Sequence, residues 1–249
     1  MNDQQWKYLF NLTDAYDDRS AGGKHATRRM YSINVHGLMD KKFGGKEYYS
    51  QEYQDFVVDN LIFHHMENGV FLDIGANDPI FINNTYFLEK ERGWTGLAFE
   101  PLESLNKKWS LRKTECMQVA LGKVNGVREY TEYLQQYDYM SGFSSVVDFD
   151  GPIKDKYKVQ VRKLGEILEE KNITHVDYVS LDVEGAEIEV LQGIDFNKCD
   201  FTCFMVELEE REETFEVRKF FIENGYCFLG RLWHDDIWIK EGFFATNSK

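Results

Sequence analysis

From about residue 50 the chain alternates short, continuous apolar runs with stretches whose apolar residues recur at helical spacing. Val70-Phe71-Leu72 suits a buried strand, which Asp73-Ile74-Gly75-Ala76-Asn77-Asp78 breaks sharply. Tyr86, Phe87 and Leu88 open a helical stretch that Gly93 closes, and Thr95–Phe99 is a second buried strand ending at Glu100. This is one strand-turn-helix-strand unit with a carboxylate at each strand end, the layout of a nucleotide-type cofactor site. Gly75 lets the backbone pass close to a ligand.

The same alternation continues on both sides. A helix is expected from Ser50, carrying Phe56-Val57-Val58, Leu61-Ile62-Phe63 and Met66, and another over Leu102–Leu111. Glu115–Leu121 reads as a third buried strand. Leu164–Lys171, Ala186–Gly193 and Thr214–Asn224 read as helices, the last capped by Gly225, while Val176–Leu181 and Phe201–Glu207 read as strands. The segment YCFLGRLWHDDIWIK predicts two aromatic-rich strands in an antiparallel hairpin at a sheet edge. The fold class is therefore α/β: a mainly parallel sheet with helices on both faces, closed by that hairpin.

Two regions break the pattern. In residues 1–49 a helix over Gln4–Tyr16 and a turn-rich loop over Asp17–Lys24 are expected, and this part is read as an N-terminal extension to a domain spanning 50–249. Residues 122–161 are rich in tyrosine and turn formers and predict an insertion, either β-hairpins or a mobile loop. Its aromatic group Tyr133, Tyr137, Tyr139 and Phe143 could pack internally or form a lid over an acceptor.

Composition narrows the class. At 249 residues, 43% hydrophobic and 15% aromatic, the chain can build a sizeable core. No apolar run approaches the ~18 residues of a membrane span, and MNDQQWKYLF lacks a signal-peptide core, so a cytoplasmic location is the default expectation. The scattered Cys116, Cys199, Cys203 and Cys227 read as buried thiols rather than bridges or a metal set. A net charge of −14 weighs against a nucleic-acid partner. Residues 1–49 are locally basic, and Lys24, Arg28, Arg29, Lys41, Lys42 and Lys46 are expected to pack against the acidic body or to dock an anionic substrate.

In open α/β sheets ligands gather at the carboxyl ends of the strands, here Asp73, Glu100, Ala120-Leu121, Asp182 and Glu207. So many carboxylates at one edge call for a cation; a sulfonium cofactor with an amino group is one, and a divalent metal is another. In Ser180-Leu181-Asp182-Val183-Glu184-Gly185, Asp182 ends a strand, Gly185 permits a tight turn, and Asp182 and Glu184 should face the crevice. Glu187 and Glu189 fit helix-start electrostatics instead. His64-His65 are expected to end the helix before the first strand.

DIGAND, then Phe99-Glu100-Pro101, then SLDVEGAEIEVLQG resemble the FkbM-type S-adenosylmethionine-dependent methyltransferases. The similarity includes Ser50-Gln51-Glu52-Tyr53-Gln54-Asp55, Asn84-Thr85-Tyr86-Phe87-Leu88-Glu89 and Gly93-Trp94-Thr95-Gly96, covering about residues 50–240. Pro79 departs from it, standing where the family usually has glycine. The resemblance implies a class I methyltransferase fold with S-adenosyl-L-methionine as cofactor. It places Asp73, Gly75, Ala76 and Asn77 against the methionine part and Glu100, followed by Pro101, on the ribose hydroxyls. Gln118, Val119 and Ala120 would border the adenine, and Asp182 the sulfonium end, with Gln51 and Asn84 as further contacts.

Methyl transfer needs acceptor, methyl carbon and sulfur in line in a pocket that excludes water. An aliphatic hydroxyl also needs a base or a metal to take its proton. The candidates are Asp182, Glu184, Glu207 and His234. The expected activity is O-methylation of a sugar in a glycan or nucleotide-sugar; the alternatives are a secondary-metabolite hydroxyl or an inactive methyltransferase fold used as a binding module. A nucleic-acid methyltransferase is disfavoured by the charge and by the missing Asn/Asp-Pro-Pro-Tyr/Phe tetrad.

Overall fold

The computed structural model describes residues 46–134, 141–143, 145, 150–208 and 213–246. The expected helix over Gln4–Tyr16, the loop over Asp17–Lys24, and Tyr137 and Tyr139 lie outside the described residues.

The first two strands are β1 (Val70–Ile74) and β2 (Thr95–Phe99), and the third predicted strand divides into β3 (Glu115–Met117) and β4 (Ala120–Leu121). They are followed by β5 (Gly126–Tyr133), β6 (Gly142–Phe143), β7 (Ile153–Arg162), β8 (His175–Leu181), β9 (Asp200–Glu207), β10 (Tyr226–Leu232) and β11 (Asp235–Lys240). Seven of them form one sheet in the order β10-β11-β9-β8-β1-β2-β3. β3, β2, β1, β8 and β9 are mutually parallel, and β11 runs antiparallel to β9 and β10. The chain first moves outward from β1 to β3, then returns to the other side of β1 with β8. The strand order thus reverses between β1 and β8, where open α/β sheets leave a ligand crevice.

Both sheet faces are buried because the central strands alternate two apolar sets. Leu72, Ile74, Leu97, Phe99, Val179, Leu181, Phe204 and Val206 pack one way, under Leu164, Ile167, Leu168, Val190, Leu191, Val217 and Phe221 of the helices Leu164–Lys171, Glu187–Leu191 and Glu213–Glu223. Phe71, Tyr178, Cys203 and Met205 pack the other way, against Phe56, Val58, Ile62, Phe87, Leu88 and Trp94. Each fully buried large side chain contributes roughly 1.5–3 kcal/mol of apolar burial. By the same two-residue period Asp73 shares the face of Phe71, and so meets the start of the helix Tyr86–Arg92.

The helix expected over Leu102–Leu111 is a short α-turn (Glu103–Asn106) that continues as a 3₁₀ turn (Lys107–Leu111), and two further elements depart from the sequence reading. Glu115–Leu121 does not continue as one strand: Val119 N–H bonds Met117 O, turning the chain so that Ala120 and Leu121 pair with Val161 and Arg162. They join a second sheet, β4-β7-β5-β6, so the tyrosine-rich segment contains paired strands over much of its length. The helix expected from Ser50 is short: Tyr53, at φ 68, precedes one α-turn (Gln54–Phe56), and the chain continues as a π-helix over Val57–Ile62. His64 and His65, both in the left-handed region, end it. Asp55 causes the sharp entry, its carboxylate accepting from Tyr49 N–H (2.6 Å), Ser50 N–H (3.3 Å) and Ser50 Oγ (2.5 Å).

Of the basic N-terminal residues, Lys46 is described, and it pairs with Glu91 at 3.7 Å; Lys24, Arg28, Arg29, Lys41 and Lys42 lie outside the described residues. Among the described residues no helix is long and apolar enough to cross a membrane.

Candidate active site

A cavity of about 750 Å³ opens at the carboxyl ends of β1, β2, β8 and β9. Its floor is the turn after β1. Gly75 has φ 79, and a Cβ there would lie 1.6 Å from the Asp182 carbonyl oxygen, so glycine is required for two strand ends to approach this closely. Gly75 N–H and Ala76 N–H both donate to Phe99 O at 3.1 Å, binding the turn to β2.

Glu100 is buried at 4% exposure. Its Oε2 accepts from Asn77 N–H (2.9 Å) and its Oε1 from Leu102 N–H (2.7 Å), so each oxygen keeps a lone pair for another donor. Burial pushes its pKa up to about 7, against the pull of those two N–H groups. Asp73 is also 4% exposed and its Oδ2 accepts from Asn83 Nδ2 (3.1 Å) and Thr85 Oγ1 (2.6 Å). Burial raises it as well, and the Thr85 hydroxyl and the Arg112 charge pull it back.

The parallel register Leu181↔Val206 brings the next residues, Asp182 and Glu207, side by side. Asp182, Glu184 and Glu207 each offer an oxygen, all within 4.8 Å of one another. Burial drives the Asp182 pKa well above the carboxylate range, and the charges of Glu207 and Glu184 and a hydrogen bond with Glu207 add to this. A proton on Asp182 or a divalent cation relieves the repulsion among three carboxylates this close, and each of the three offers an oxygen to such a cation. Glu184 stands at φ 54 and Gly185 at φ 96. Glu187 Oε1 holds this bend by accepting from Val183 N–H (3.3 Å) and Gly185 N–H (3.0 Å), so Glu187 is a cap, in keeping with the helix-start reading.

His234 reaches the cavity from the β10–β11 turn, where Trp233 has φ 54 and Leu208 N–H donates to His234 O at 2.8 Å. Beside it Asp235, opposite Glu207 in register, accepts from Gln54 Nε2 at 3.0 Å; burial and the Glu207 charge push its pKa to about 7. The SQ..QD segment therefore divides: Gln51 lines the cavity, Gln54 braces the hairpin, and Ser50 and Asp55 shape the turn between them.

The fold brings Gln51, Asp73, Gly75, Ala76, Asn77, Asn84, Glu100, Pro101, Val119, Ala120, Asp182, Glu184, Glu207 and His234 to this one cavity. Gln118 is exposed and lies outside its lining. Asn84 is not the helix cap: Asn83 Oδ1 accepts from Thr85 N–H and Tyr86 N–H, while Asn84 Nδ2 donates to Ser180 Oγ at 2.9 Å. Tyr133 is buried at 4%, whereas Phe143, with Tyr130, Leu102 and Leu105, forms an apolar wall of the cavity. Sequence reasoning missed Asn83, Leu105, Tyr130 and Ser180. NNT before the helix is a capping signal that could have pointed to Asn83; the others are brought in by tertiary packing alone.

An α/β sheet with a glycine turn, an acid ending the second strand and a cavity at its switch point defines a class of cofactor-binding enzyme folds. The family described as "Methyltransferase FkbM domain" matches residues 73–228, and the chain belongs to that family. The chain is thus a methyltransferase-family protein. Its fold is similar to the crystal structure of methyltransferase FkbM from Methylobacillus flagellatus KT, with a TM-score of 0.50 at 12% identity, covering 95% of this chain and 59% of that one. This chain therefore spans less than two thirds of that relative. A methyltransferase structure from Pyrococcus furiosus aligns with a TM-score of 0.39 at 12% identity over 87% of this chain and 98% of that one. No curated protein matches the chain.

Proposed function

We propose that the chain is an S-adenosylmethionine-dependent O-methyltransferase of class I topology, acting on a hydroxyl of a sugar. The observation that carries this reading is the convergence of Gly75, Glu100 and Asp182 on one 750 Å³ cavity at the switch point. The strand order, with its antiparallel β11 inserted beside β9, supports the class I assignment.

The residues present fit the cofactor: a close backbone turn at Gly75, a buried carboxylate at Glu100 and an apolar wall of Leu105, Ala120, Tyr130 and Phe143. S-adenosylmethionine, when bound, supplies an electrophilic methyl group on a sulfonium. Glu100 accepts from the ribose hydroxyls with the lone pairs left over from Asn77 and Leu102. Asp73, Ala76 and Asn77 border the methionine part, and the apolar wall receives the base. The Asp182–Glu207 pair is the general base: Asp182 favours its protonated form, and the carboxylate oxygens left free on the pair accept the hydroxyl proton as the acceptor is methylated. Glu184 and His234 orient the acceptor at the same mouth.

The lining favours a neutral sugar of a glycan over a nucleotide-sugar. Asp73, Asp78, Glu100, Asp182, Glu184 and Glu207 face the cavity, and its lysine, Lys108, is paired with Asp78 at 3.1 Å, so a diphosphate meets mostly negative charge.

Thermal-shift titration with S-adenosylmethionine and its demethylated product, followed by label transfer to a panel of glycans, tests the reading. Stabilisation by both ligands and alkali-stable label on a sugar oxygen are expected. Absence of stabilisation by either ligand sinks it.

A further inference from the structure

Arg112 lies outside the cavity lining, yet its side chain is fully buried behind the wall. It ends the 3₁₀ turn Lys107–Leu111, and its guanidinium carbon lies 4.7 Å from the Trp109 ring centroid, 5.5 Å from Phe71 and 5.6 Å from Tyr86. Nη1 donates to Asn83 Oδ1 (2.9 Å), Thr85 Oγ1 (3.1 Å) and Pro79 O (3.3 Å), and Nε to Glu89 Oε2 (3.2 Å). Nη2 is buried with no hydrogen-bond partner among the described residues.

A buried guanidinium with an unsatisfied nitrogen is a poor way to gain stability. Its partners suggest another use. Asn83 and Thr85, both touched by Nη1, are the two donors to Asp73 Oδ2. The segment they anchor carries Asn77 at φ 44 and Ile82 at φ 55, conformations that asparagine tolerates and a β-branched residue resists. Such a segment holds its shape only when tied at several points. Arg112 ties it at Pro79, Asn83 and Thr85, and Trp109 Nε1 adds a bond to Asn77 O at 2.9 Å. Pro79, the departure from the family pattern, offers its carbonyl to this clamp.

We propose that Arg112 is a positioning residue for the methyl donor: through Asn83 and Thr85 it fixes the Asp73 carboxylate and the 77–85 loop that together form the donor's binding wall. This rests on the cavity being the S-adenosylmethionine site. Asp73 also shares its surroundings with Glu100 just after β2, Cys116 on β3 and Tyr178 on β8, whose ionisation its charge opposes; Arg112 is the cation among these neighbours.

The test is calorimetric titration of the full chain with S-adenosylmethionine from pH 5 to 9, for the parent and for Arg112→Met, Arg112→Lys and Thr85→Val. Arg112→Met is expected to weaken binding at least about tenfold at pH 7 and to steepen the acid limb that Glu100 sets, because Asp73, without its cation, takes up a proton more readily as pH falls. Arg112→Lys keeps the charge and restores the acid limb while recovering only part of the affinity. Thr85→Val, which removes one small hydroxyl, covers the case in which Arg112→Met does not fold, and is expected to weaken binding several-fold. Parent-like affinity and pH profile in the folded variants overturns the role of Arg112. Failure of the parent itself to bind instead overturns the donor site.

Discussion

Replacing Gly75 by alanine combines two costs, of which Gly225 carries one and Gly126 neither. The new methyl lands 1.6 Å from Asp182 O, whereas carbon and oxygen normally approach to about 3.3–3.6 Å, so the ends of β1 and β8 must part by roughly 2 Å. The φ of 79 adds about 1–2 kcal/mol for a side chain in the left-handed region. Gly225→Ala carries the second cost alone, since its φ is also 79 and nothing lies within 4 Å of the added methyl. Gly126→Ala carries neither, and removing a flexible glycine there is expected to leave stability level or raise it by up to about 1 kcal/mol. The expected order of unfolding midpoints is therefore Gly126→Ala, then Gly225→Ala lower by roughly 2–8 °C, then Gly75→Ala lower again, its total loss at least about 4 kcal/mol. Urea and thermal denaturation of the three variants measure it. Any Gly75→Ala protein that folds should bind S-adenosylmethionine about a hundredfold more weakly, because the turn is displaced by more than an ångström. Equal midpoints for Gly75→Ala and Gly225→Ala would refute the close approach of the two strand ends, and with it the geometry of the site.

Donor affinity should rise with pH through about 7 and then level, because the ribose hydroxyls bind the ionised Glu100; a profile flat from pH 5 to 9 removes Glu100 from that contact. Asp182→Asn should lower turnover by about 10²–10⁴ while changing donor affinity only a few-fold, and full turnover on a hydroxyl acceptor would dismiss the carboxyl pair as base. Asp55, Glu100 and Asp235 have folded pKa values raised to about 6, 7 and 7, so the folded chain holds protons the unfolded chain releases. Their contribution to stability is complete below about pH 4 and is lost as pH rises through 6–7. The lowered Asp59, Asp78 and Glu89 act oppositely, but only as pH falls through the acid range below their ordinary values. Urea unfolding should therefore show lower stability at pH 8 than at pH 5, with a shallower slope in Asp235→Asn; a rise in stability over that interval contradicts the burial of these carboxyls.

Much of the frame was legible because its signals are local. Apolar runs, glycine punctuation and helical spacing marked the central strands and helices, and the strand-end carboxylates Asp73, Glu100, Asp182 and Glu207 followed from knowing where such runs stop. The split of Glu115–Leu121 was hidden, because an unbroken apolar run does not record that one turn sends its two halves to different sheets. The abrupt entry at Tyr53 was equally hidden, being held by a buried Asp55 that resembles any surface aspartate in sequence. Asn83 and Asn84 looked interchangeable as caps; only the packing of the helix start against β1 and β8 turns one toward the helix and the other toward Ser180.

The chain order alone determined which groups stand at the strand ends, since backbone freedom at Gly75 and the acids that follow the strands are properties of residues and their immediate neighbours. Tertiary structure decided how those acids behave. Parallel register placed Asp182 beside Glu207, whose charge together with burial drives the Asp182 pKa up, and burial raised Glu100 to about 7. Arg112, thirty-nine positions from Asp73 in the chain, became its electrostatic partner through packing. Charge interactions depend on distance and desolvation, and both are set by which segments the fold presses together.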